Sequence, residues 1–443
     1  MNIEERTIDT LARDAADVPR REEAAEPGAS LRGVRALYLS YDGLLEPLGQ
    51  SQILPYVRGL ARCGAVIRLL TFEKPEAWRS GRDAMAALRR GLEAEGIGWT
   101  ALRYHRSPTV PATAYDLLRG VLVGVWVALR CSVHLVHARS EVAGIMAWVV
   151  SRLTGARFLF DMRGFWADER VEAGLWPAEG WLYRAAKRWE GRLLRDAQAV
   201  VTLTEAARCE VERDAAARPR RAKVAVIPTC TDLDRFQPAP KSTRLLQALR
   251  LEEQWLLLYS GALGTWYLLE EMARFFQAIR RRQPNAHFLA LTSQDSRVVQ
   301  TAWARCGMDE TTITVRTVPF AKMPEWLSLA DASVLFRRPG ASLAGVCPTK
   351  IGESLACGVP VVINAGIGDC DVMVRARRVG VVMPQLLGEA YDAAAVDVIA
   401  LSREPDVRAR CRAAAEALFG LERGVAGYAA VYRRLEAGRG TDA

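Results

Sequence analysis

Residues 34–73 read VRALYLSYDGLLEPLGQSQILPYVRGLARCGAVIRLLTFE. VRALYLS (34–40) is an apolar and aromatic run of strand length, and the loop YDGLLEPLGQ follows it. SQILPYVRGLARCG (51–64) spaces its apolar residues for a helix, with Gly64 as its C-terminal stop. AVIRLLTFE (65–73) is again a strand. Strand, helix and strand joined by short links form the βαβ unit of a parallel, doubly wound sheet.

The pattern repeats on the C-terminal side. Helices are expected near 76–95, 113–131, 142–154, 179–195 and 205–213, alternating with strands near 97–104, 134–138, 157–162, 199–204 and 223–228. TCTDLDRFQPAPK (229–241) has two prolines and no period, and reads as a linker. A second series opens at WLLLYSGAL (255–263) and runs to closing helices near 389–402 and 405–436. The expected fold class is therefore α/β, with two Rossmann-like domains facing each other across a cleft. In such sheets ligands sit at the carboxyl ends of the strands. The expected boundaries are 1–31 for a disordered acidic tail, 32–232 and 233–420 for the two domains, and 421–443 for a C-terminal helix and tail.

Composition narrows the function. The 443 residues carry 60 Lys+Arg against 51 Asp+Glu, a net charge of +9. Residues 1–33 hold eight acids and five arginines, which leaves +12 on the rest. Arginine-rich runs at 185–195, 218–223 (RPRRAK) and 280–282 are either solvated faces or attractors of an anionic partner. The longest apolar stretch, Val121–Leu129 between Arg119 and Arg130, is too short to span a bilayer and is expected to be a buried helix, with an interfacial helix as the alternative. The acidic N-terminus is unlike a secretion signal. Nine cysteines without a C-x-x-C pair fit reduced thiols rather than a disulfide framework. Four histidines without ligand spacing argue against a metal site. G-x-G-x-x-G and G-x-x-x-x-G-K-[ST] are both missing, which leaves a dinucleotide dehydrogenase or P-loop NTPase little support.

Four segments carry chemistry. The loop Leu48-Gly49-Gln50-Ser51 offers a glycine for close backbone approach and Ser51 as a helix cap. Gly261 and Gly264, with Thr265, repeat the device in the second half. Asp161-Met162-Arg163-Gly164-Phe165-Trp166-Ala167-Asp168-Glu169-Arg170 is a dense polar cluster directly after a buried strand. It is either a salt-bridged loop or a hydroxyl- and charge-recognising surface, with Trp166 able to stack on a sugar. Pro348-Thr349-Lys350-Ile351-Gly352-Glu353 opens a helix. A cation and free backbone N–H groups there suit a diphosphate, and a carboxylate one turn on suits ribose hydroxyls. Asp232-Leu233-Asp234 and Asp369-Cys370-Asp371 match D-x-D, a triplet that arises readily by chance.

With these residues on view, the chain resembles glycosyltransferase family 4: retaining, nucleotide-sugar-dependent enzymes of GT-B fold. The resemblance covers nearly everything from Val34 to about Leu435. It rests on YDGLLEPLGQSQILPYVRGLARCG, HARSEVAG, FDMRGFWADER, VIPTCTDLDRFQP, YSGALGTWYLLEEM and PTKIGESLACGVPVVINAGIGD. It implies a C-terminal helix that crosses back to the N-terminal domain, and a donor nucleotide held mainly by the C-terminal domain. Glu353 matches the second glutamate of the family's E-x7-E motif, which binds ribose, while Gly345 stands where the first would be. GALGTWYL lacks the family's usual Arg/Lys pair, so Lys350, with Arg337 or Arg338, is expected to offset the diphosphate instead. Arg163 stands where many relatives carry a histidine.

The implied roles are catalytic for Asp161, Arg163 and Lys350. Gly49, Gln50, Gly261, Gly264, Thr265, Thr349, Lys350 and Glu353 would bind the donor. Asp42, His137, Arg139, Trp166, Asp168 and Glu169 would bind the acceptor. No cofactor and no obligatory metal are expected beyond the nucleoside-diphosphate sugar as co-substrate. The expected acceptor is a sugar or a lipid-linked sugar in cell-surface polysaccharide or glycolipid assembly. An anionic membrane surface is the further expected partner, nucleic acid is not, and the expected location is cytoplasmic, peripheral at the inner face of the membrane. The alternatives are a GT-B hexosamine epimerase or phosphorylase, or a catalytically degenerate nucleotide-sugar-binding protein.

Overall fold

The computed structural model describes residues 30–214 and 224–438, and these divide into two units. The basic run at 218–223 and residues 1–29 of the acidic tail lie outside the described residues. Leu31, assigned to the tail from sequence, is fully buried, and its N–H donates to Cys63 O at 2.7 Å.

The first unit is built on seven parallel strands: β1 (Arg35–Ser40), β2 (Val66–Glu73), β3 (Gly98–Arg103), β4 (Leu135–Arg139), β5 (Arg157–Asp161), β6 (Ala199–Thr202) and β7 (Val224–Val226). Their order is β3-β2-β1-β4-β5-β6-β7. The switch point lies between β1 and β4, where the loops after the strands diverge. The helices that matter below are α1 (Pro47–Gln52), α2 (Leu54–Arg62), α3 (Thr109–Arg130), α4 (Ser140–Thr154), α5 (Trp166–Glu172) and α6 (Trp181–Asp196).

The single helix expected at 51–64 is two. Pro55 has no N–H to return to Ser51 O, so the chain breaks at Ile53 and restarts with proline in the first turn of α2. The first segment begins already at Pro47. Helix α5 was not anticipated at all, because its seven residues are mostly charged. Helix α3 corrects the expectation of a buried helix: one face is buried, but Leu118, Leu122, Trp126 and Leu129 are each about 60 % exposed.

The second unit repeats the architecture with six strands: β8 (Trp255–Ser260), β9 (Ala286–Leu291), β10 (Ile313–Arg316), β11 (Ala332–Leu335), β12 (Val361–Asn364) and β13 (Gly380–Met383). Their order is β10-β9-β8-β11-β12-β13, again all parallel. All six residues of β8 are buried, as a central parallel strand covered on both faces requires. Phe276, Phe288 and Trp303 pack together in the core of this unit at tilted and edge-on angles, with Phe288 and Trp303 centroids 4.7 Å apart. Each such side chain contributes roughly 1.5–3 kcal/mol by leaving water. Helix α7 (Thr349–Ala356) follows the loop after β11 and is buried on most of its length. A short helix, Thr243–Leu249, follows the linker expected at 229–241 and was not anticipated.

The units divide between Pro228 and Thr229 and again between Gly420 and Leu421. Thr229 Oγ1 donates to Cys347 O at 2.6 Å and Thr231 N to Phe419 O at 2.7 Å, which places 229–232 with the second unit. The long helix expected at 405–436 is likewise broken at Gly420, where Thr231 pairs. Its second half, α8 (Leu421–Ala437), belongs to the first unit and packs on α2. A Cβ on Gly59 would lie 2.3 Å from Val425 Cγ2, so glycine permits that approach.

Candidate functional site

The strongest site lies within the second unit, at the carboxyl ends of β8, β11 and β12. Strand β8 stops at Ser260 because Gly261 turns the chain at φ +121°, a region that favours glycine. The next residues are held from two sides. Leu268 N donates to Phe336 O and Arg338 N to Trp266 O, both at 3.0 Å, and Gln294 Nε2 donates to Leu263 O at 2.9 Å. These bonds fix Tyr267 antiparallel to Arg337.

Two cations converge on that tyrosine. Lys350 Nζ lies 3.7 Å from the Tyr267 ring centroid, and Arg337 Cζ lies 5.4 Å from it and 5.9 Å from the Trp266 ring. Among the described residues neither has a carboxylate within ion-pair distance. Arg337 is nine-tenths buried, its N–H held by Asn364 Oδ1 at 2.8 Å, and its Nε has no partner among the described residues. Lys350 also stands in the first turn of α7, which contains no acid and no side-chain cap. Free N–H groups, a partial positive helix end and two unpaired cations over aromatic faces make an anion site.

Glu353 sits one turn further on, 8 % exposed. Burial pushes its carboxyl up to about 7, with Lys350 opposing the shift. It therefore exchanges its proton near neutrality and can accept or donate to a hydroxyl. Gly264 and Thr265 are exposed on the loop, Thr265 O accepting from Arg338 Nε at 3.4 Å, and Thr349 begins α7. Gly345, in place of the first motif glutamate, is buried in the turn Ala341–Gly345. The structure thus brings together Gly261, Lys350, Arg337 and Glu353. Tyr267, whose ring organises them, was quoted in the motif without a role.

Gly261→Ala tests this geometry. Its Cβ would fall 2.2 Å from Lys350 Cε, besides straining the backbone. The expected result is a loss of nucleoside-diphosphate affinity like that of a Lys350 variant, read by calorimetric titration, with the protein still folded.

The first unit holds a second polar assembly at the ends of β1, β4 and β5. Register sets Ser40, Arg139 and Asp161 side by side. Arg139 Nη1 donates to Asp42 Oδ2 at 2.9 Å. Asp161 Oδ2 accepts from Tyr428 OH at 3.0 Å, and its Oδ1 lies 3.4 Å from Arg163 Nη1. Arg163 also reaches Tyr428 OH at 3.3 Å and Gln52 Oε1 at 3.5 Å. His137 Nδ1 is 3.0 Å from Tyr432 OH and its Nε2 3.6 Å from Asp161 Oδ2. Asp161 and His137 are each 1 % exposed. Burial alone would raise the Asp161 carboxyl, but Arg163, His137 and Arg139 together hold it down to about 2. Burial lowers the pKa of the His137 imidazole, against the opposing pull of Asp161. The resemblance implied catalytic roles for Asp161 and Arg163 and acceptor contacts for His137 and Arg139; the structure buries Asp161 and His137 under α8, with Arg139 and Arg163 nearly so. Tyr428 and Tyr432, one helical turn apart in GYAAVYRRL, were missed because such spacing reads as ordinary core.

The remaining sequence candidates are scattered around this assembly. Trp166 lies edge-on to Trp176 at 5.0 Å with Arg170 over its ring. Asp168 accepts from Tyr183 OH at 2.7 Å and Lys187 Nζ at 2.8 Å, so the salt-bridged-loop reading describes it. Glu169 is half-buried on the same helix. Gly49 is inside α1, where a Cβ would lie 2.1 Å from Gly43 O. It serves close packing of its own loop. Ser51 is not a cap: it donates to Pro47 O at 2.9 Å from within α1. Gln50 Nε2 donates to Leu44 O at 2.7 Å. Both D-x-D triplets bond backbone, Asp232 Oδ1 accepting from Asp234 N and Arg235 N, and Asp371 from Gly366 N and Val372 N. Among the described residues no three His, Cys, Asp or Glu side chains group as metal ligands.

Residues 49–230 match the family model described as "Glycosyl transferase 4-like domain". Among proteins of curated function, none matches the chain by sequence. Among solved structures, sucrose-phosphate synthase of Thermosynechococcus elongatus superposes with a TM-score of 0.68 at 16 % identity, covering 91 % of this chain and 100 % of that one. HepE of Anabaena, in complex with UDP and glucose, gives 0.64 at 14 %, with 90 % and 99 % covered. WaaG, a glycosyltransferase involved in lipopolysaccharide biosynthesis, gives 0.61 at 14 %, with 89 % and 98 % covered. At these identities the likeness establishes the fold. The chain thus has the GT-B fold, and its residues 49–230 are similar to a glycosyl transferase 4-like domain.

Proposed function

We propose that this chain is a retaining glycosyltransferase that moves a hexose from a nucleoside-diphosphate sugar to an acceptor hydroxyl. The observation that carries the reading is the pair of unpaired cations, Lys350 and Arg337, on the Tyr267 ring at the start of α7. The donor diphosphate binds there, and Glu353 takes the ribose hydroxyls. As the bond between the sugar's anomeric carbon and the β-phosphate oxygen breaks, negative charge grows on the diphosphate. Lys350 and the α7 N–H groups are already in place to stabilise it, which is electrostatic preorganisation. The acceptor oxygen attacks the same face of the sugar and passes its proton to the departing phosphate oxygen. That route needs no protein base and no obligatory metal. HepE, a structural neighbour, has been solved with UDP-glucose, which favours a nucleotide-sugar donor here as well.

The acceptor lies against Asp42, Trp166 and Glu169 of the first unit, while Asp161 and Arg163 position the β5 loop from beneath. The acceptor class is a growing cell-surface polysaccharide or glycolipid on the cytoplasmic side of a membrane. The test is a screen of UDP-, GDP-, TDP- and ADP-sugars with pooled acceptors, read as released nucleoside diphosphate and glycosylated product. Acceptor-dependent release supports transfer. Epimerised sugar without product, or tight binding without turnover, contradicts it in favour of an epimerase or a binding protein.

A further inference from the structure

Helix α3 shows solvent a continuous apolar stripe. Tyr115, Leu118, Leu122, Trp126 and Leu129 are 52, 59, 61, 64 and 65 % exposed, and their spacing of three and four residues sets them on one face. Leu153, 65 % exposed on the neighbouring α4, is a further apolar surface residue of this unit. The helix cannot turn the stripe inward. Ala112, Asp116, Gly120, Gly124 and Ala128 are buried on the opposite face, where a Cβ on Gly120 would meet Met146 Sδ at 2.1 Å and one on Gly124 Val150 Cγ2 at 2.9 Å. Apolar rows of this size on a protein surface mark an interaction site.

The charges around the stripe have one sign. Asp116, the only acid of α3, is fully buried and accepts from Tyr41 OH at 3.0 Å and from the His105 N–H at 2.9 Å. Arg119, whose guanidinium lies 5.6 Å over the Tyr115 ring, and the exposed Arg130 are the helix's ionised surface groups. A tryptophan, a tyrosine and leucines interleaved with arginines suit a bilayer interface, with rings and aliphatic chains below the headgroups and guanidinium groups on the phosphates. The helix is 22 residues long, enough to cross a bilayer by length, but its packed glycine face and buried Asp116 hold it in the helical layer of the first unit.

We infer that the outer face of α3 docks on an anionic lipid bilayer, with the helix lying flat in the interface. A second copy of this chain is a poorer occupant, because two such faces would set arginine against arginine. This inference is independent of the transfer reading, since it requires no donor or acceptor.

Vesicle co-sedimentation of the full chain tests it, with phosphatidylcholine alone and phosphatidylcholine containing phosphatidylglycerol. The wild-type chain is expected to sediment with the phosphatidylglycerol vesicles. The triple variant Leu118→Ser/Leu122→Ser/Trp126→Ser should lose binding at least about tenfold, with an unchanged melting midpoint because these side chains are exposed. Arg119→Glu/Arg130→Glu should abolish the preference for phosphatidylglycerol and keep the apolar contribution. Failure of the wild type to sediment, equal binding by the triple variant, or a wild-type dimer in sedimentation velocity that the triple variant makes monomeric would each overturn the assignment.

Discussion

Lys350→Met is expected to weaken binding of every nucleoside diphosphate by about ten- to a hundredfold, equivalent to the roughly 1.5–3 kcal/mol of a hydrogen bond to a charged group. Methionine keeps an unbranched stem against Tyr267 and removes only the ammonium. Arg337→Met should cost a similar factor, and the double variant less than the sum, because both cations act on one anion. Removing either cation also relieves repulsion in the empty site, so the free protein should become slightly more stable while its ligand affinity falls. That opposite movement separates a binding role from a structural one. Equal affinities for wild type and Lys350→Met in isothermal titration with UDP and GDP would remove the diphosphate from this site.

The second large effect is on stability. Asp161→Ala should destabilise the first unit by about 3–5 kcal/mol, because it leaves the Arg163 charge in a buried setting without its carboxylate. The melting midpoint should drop by on the order of 10 °C. Tyr428→Phe, which removes one hydroxyl from the same network, should cost about 1 kcal/mol. The pH dependence follows from the direction of the shift. Asp161 is held at about 2, below its ordinary value of 3.8. Its contribution is therefore complete above the unfolded value and is lost as pH falls through about 2. Asp161→Asn should flatten that acid limb of a stability–pH curve measured by urea unfolding. If instead Asp161→Ala melts like the wild type and abolishes turnover, the carboxylate is a catalytic group and the anchoring role is wrong.

Much of the fold could be read from residues alone because parallel sheets leave a direct trace. WLLLYS and AVVT are apolar on both faces since both faces are covered, and each returns after one amphipathic helix. The anion site was half visible in the same way. Lys350 and Glu353 stand at a helix start, which turn chemistry reveals, and Gly261 marks a sharp exit from β8. Their convergence on Tyr267 was not visible, because it depends on the antiparallel pairing of Tyr267 with Arg337, two residues 70 positions apart.

One misreading and one omission share one physical cause. Val121–Leu129 looks buried by composition, yet burial is a property of neighbours, and only the glycine face of α3 has them. The burial of Asp161 was not legible in the sequence, because Tyr428 and Tyr432 arrive from a helix more than 260 residues later and close over it. Sequence reports what a side chain prefers, and both outcomes were decided by what the fold set against it.

The most direct test of the central claim is amide hydrogen exchange of the full chain with and without UDP. The account predicts protection of the peptides spanning 259–268, 336–338 and 348–354 in the second unit, and its disappearance in Lys350→Met at the same UDP concentration. Protection confined to other segments, or the same protection in Lys350→Met, would contradict it.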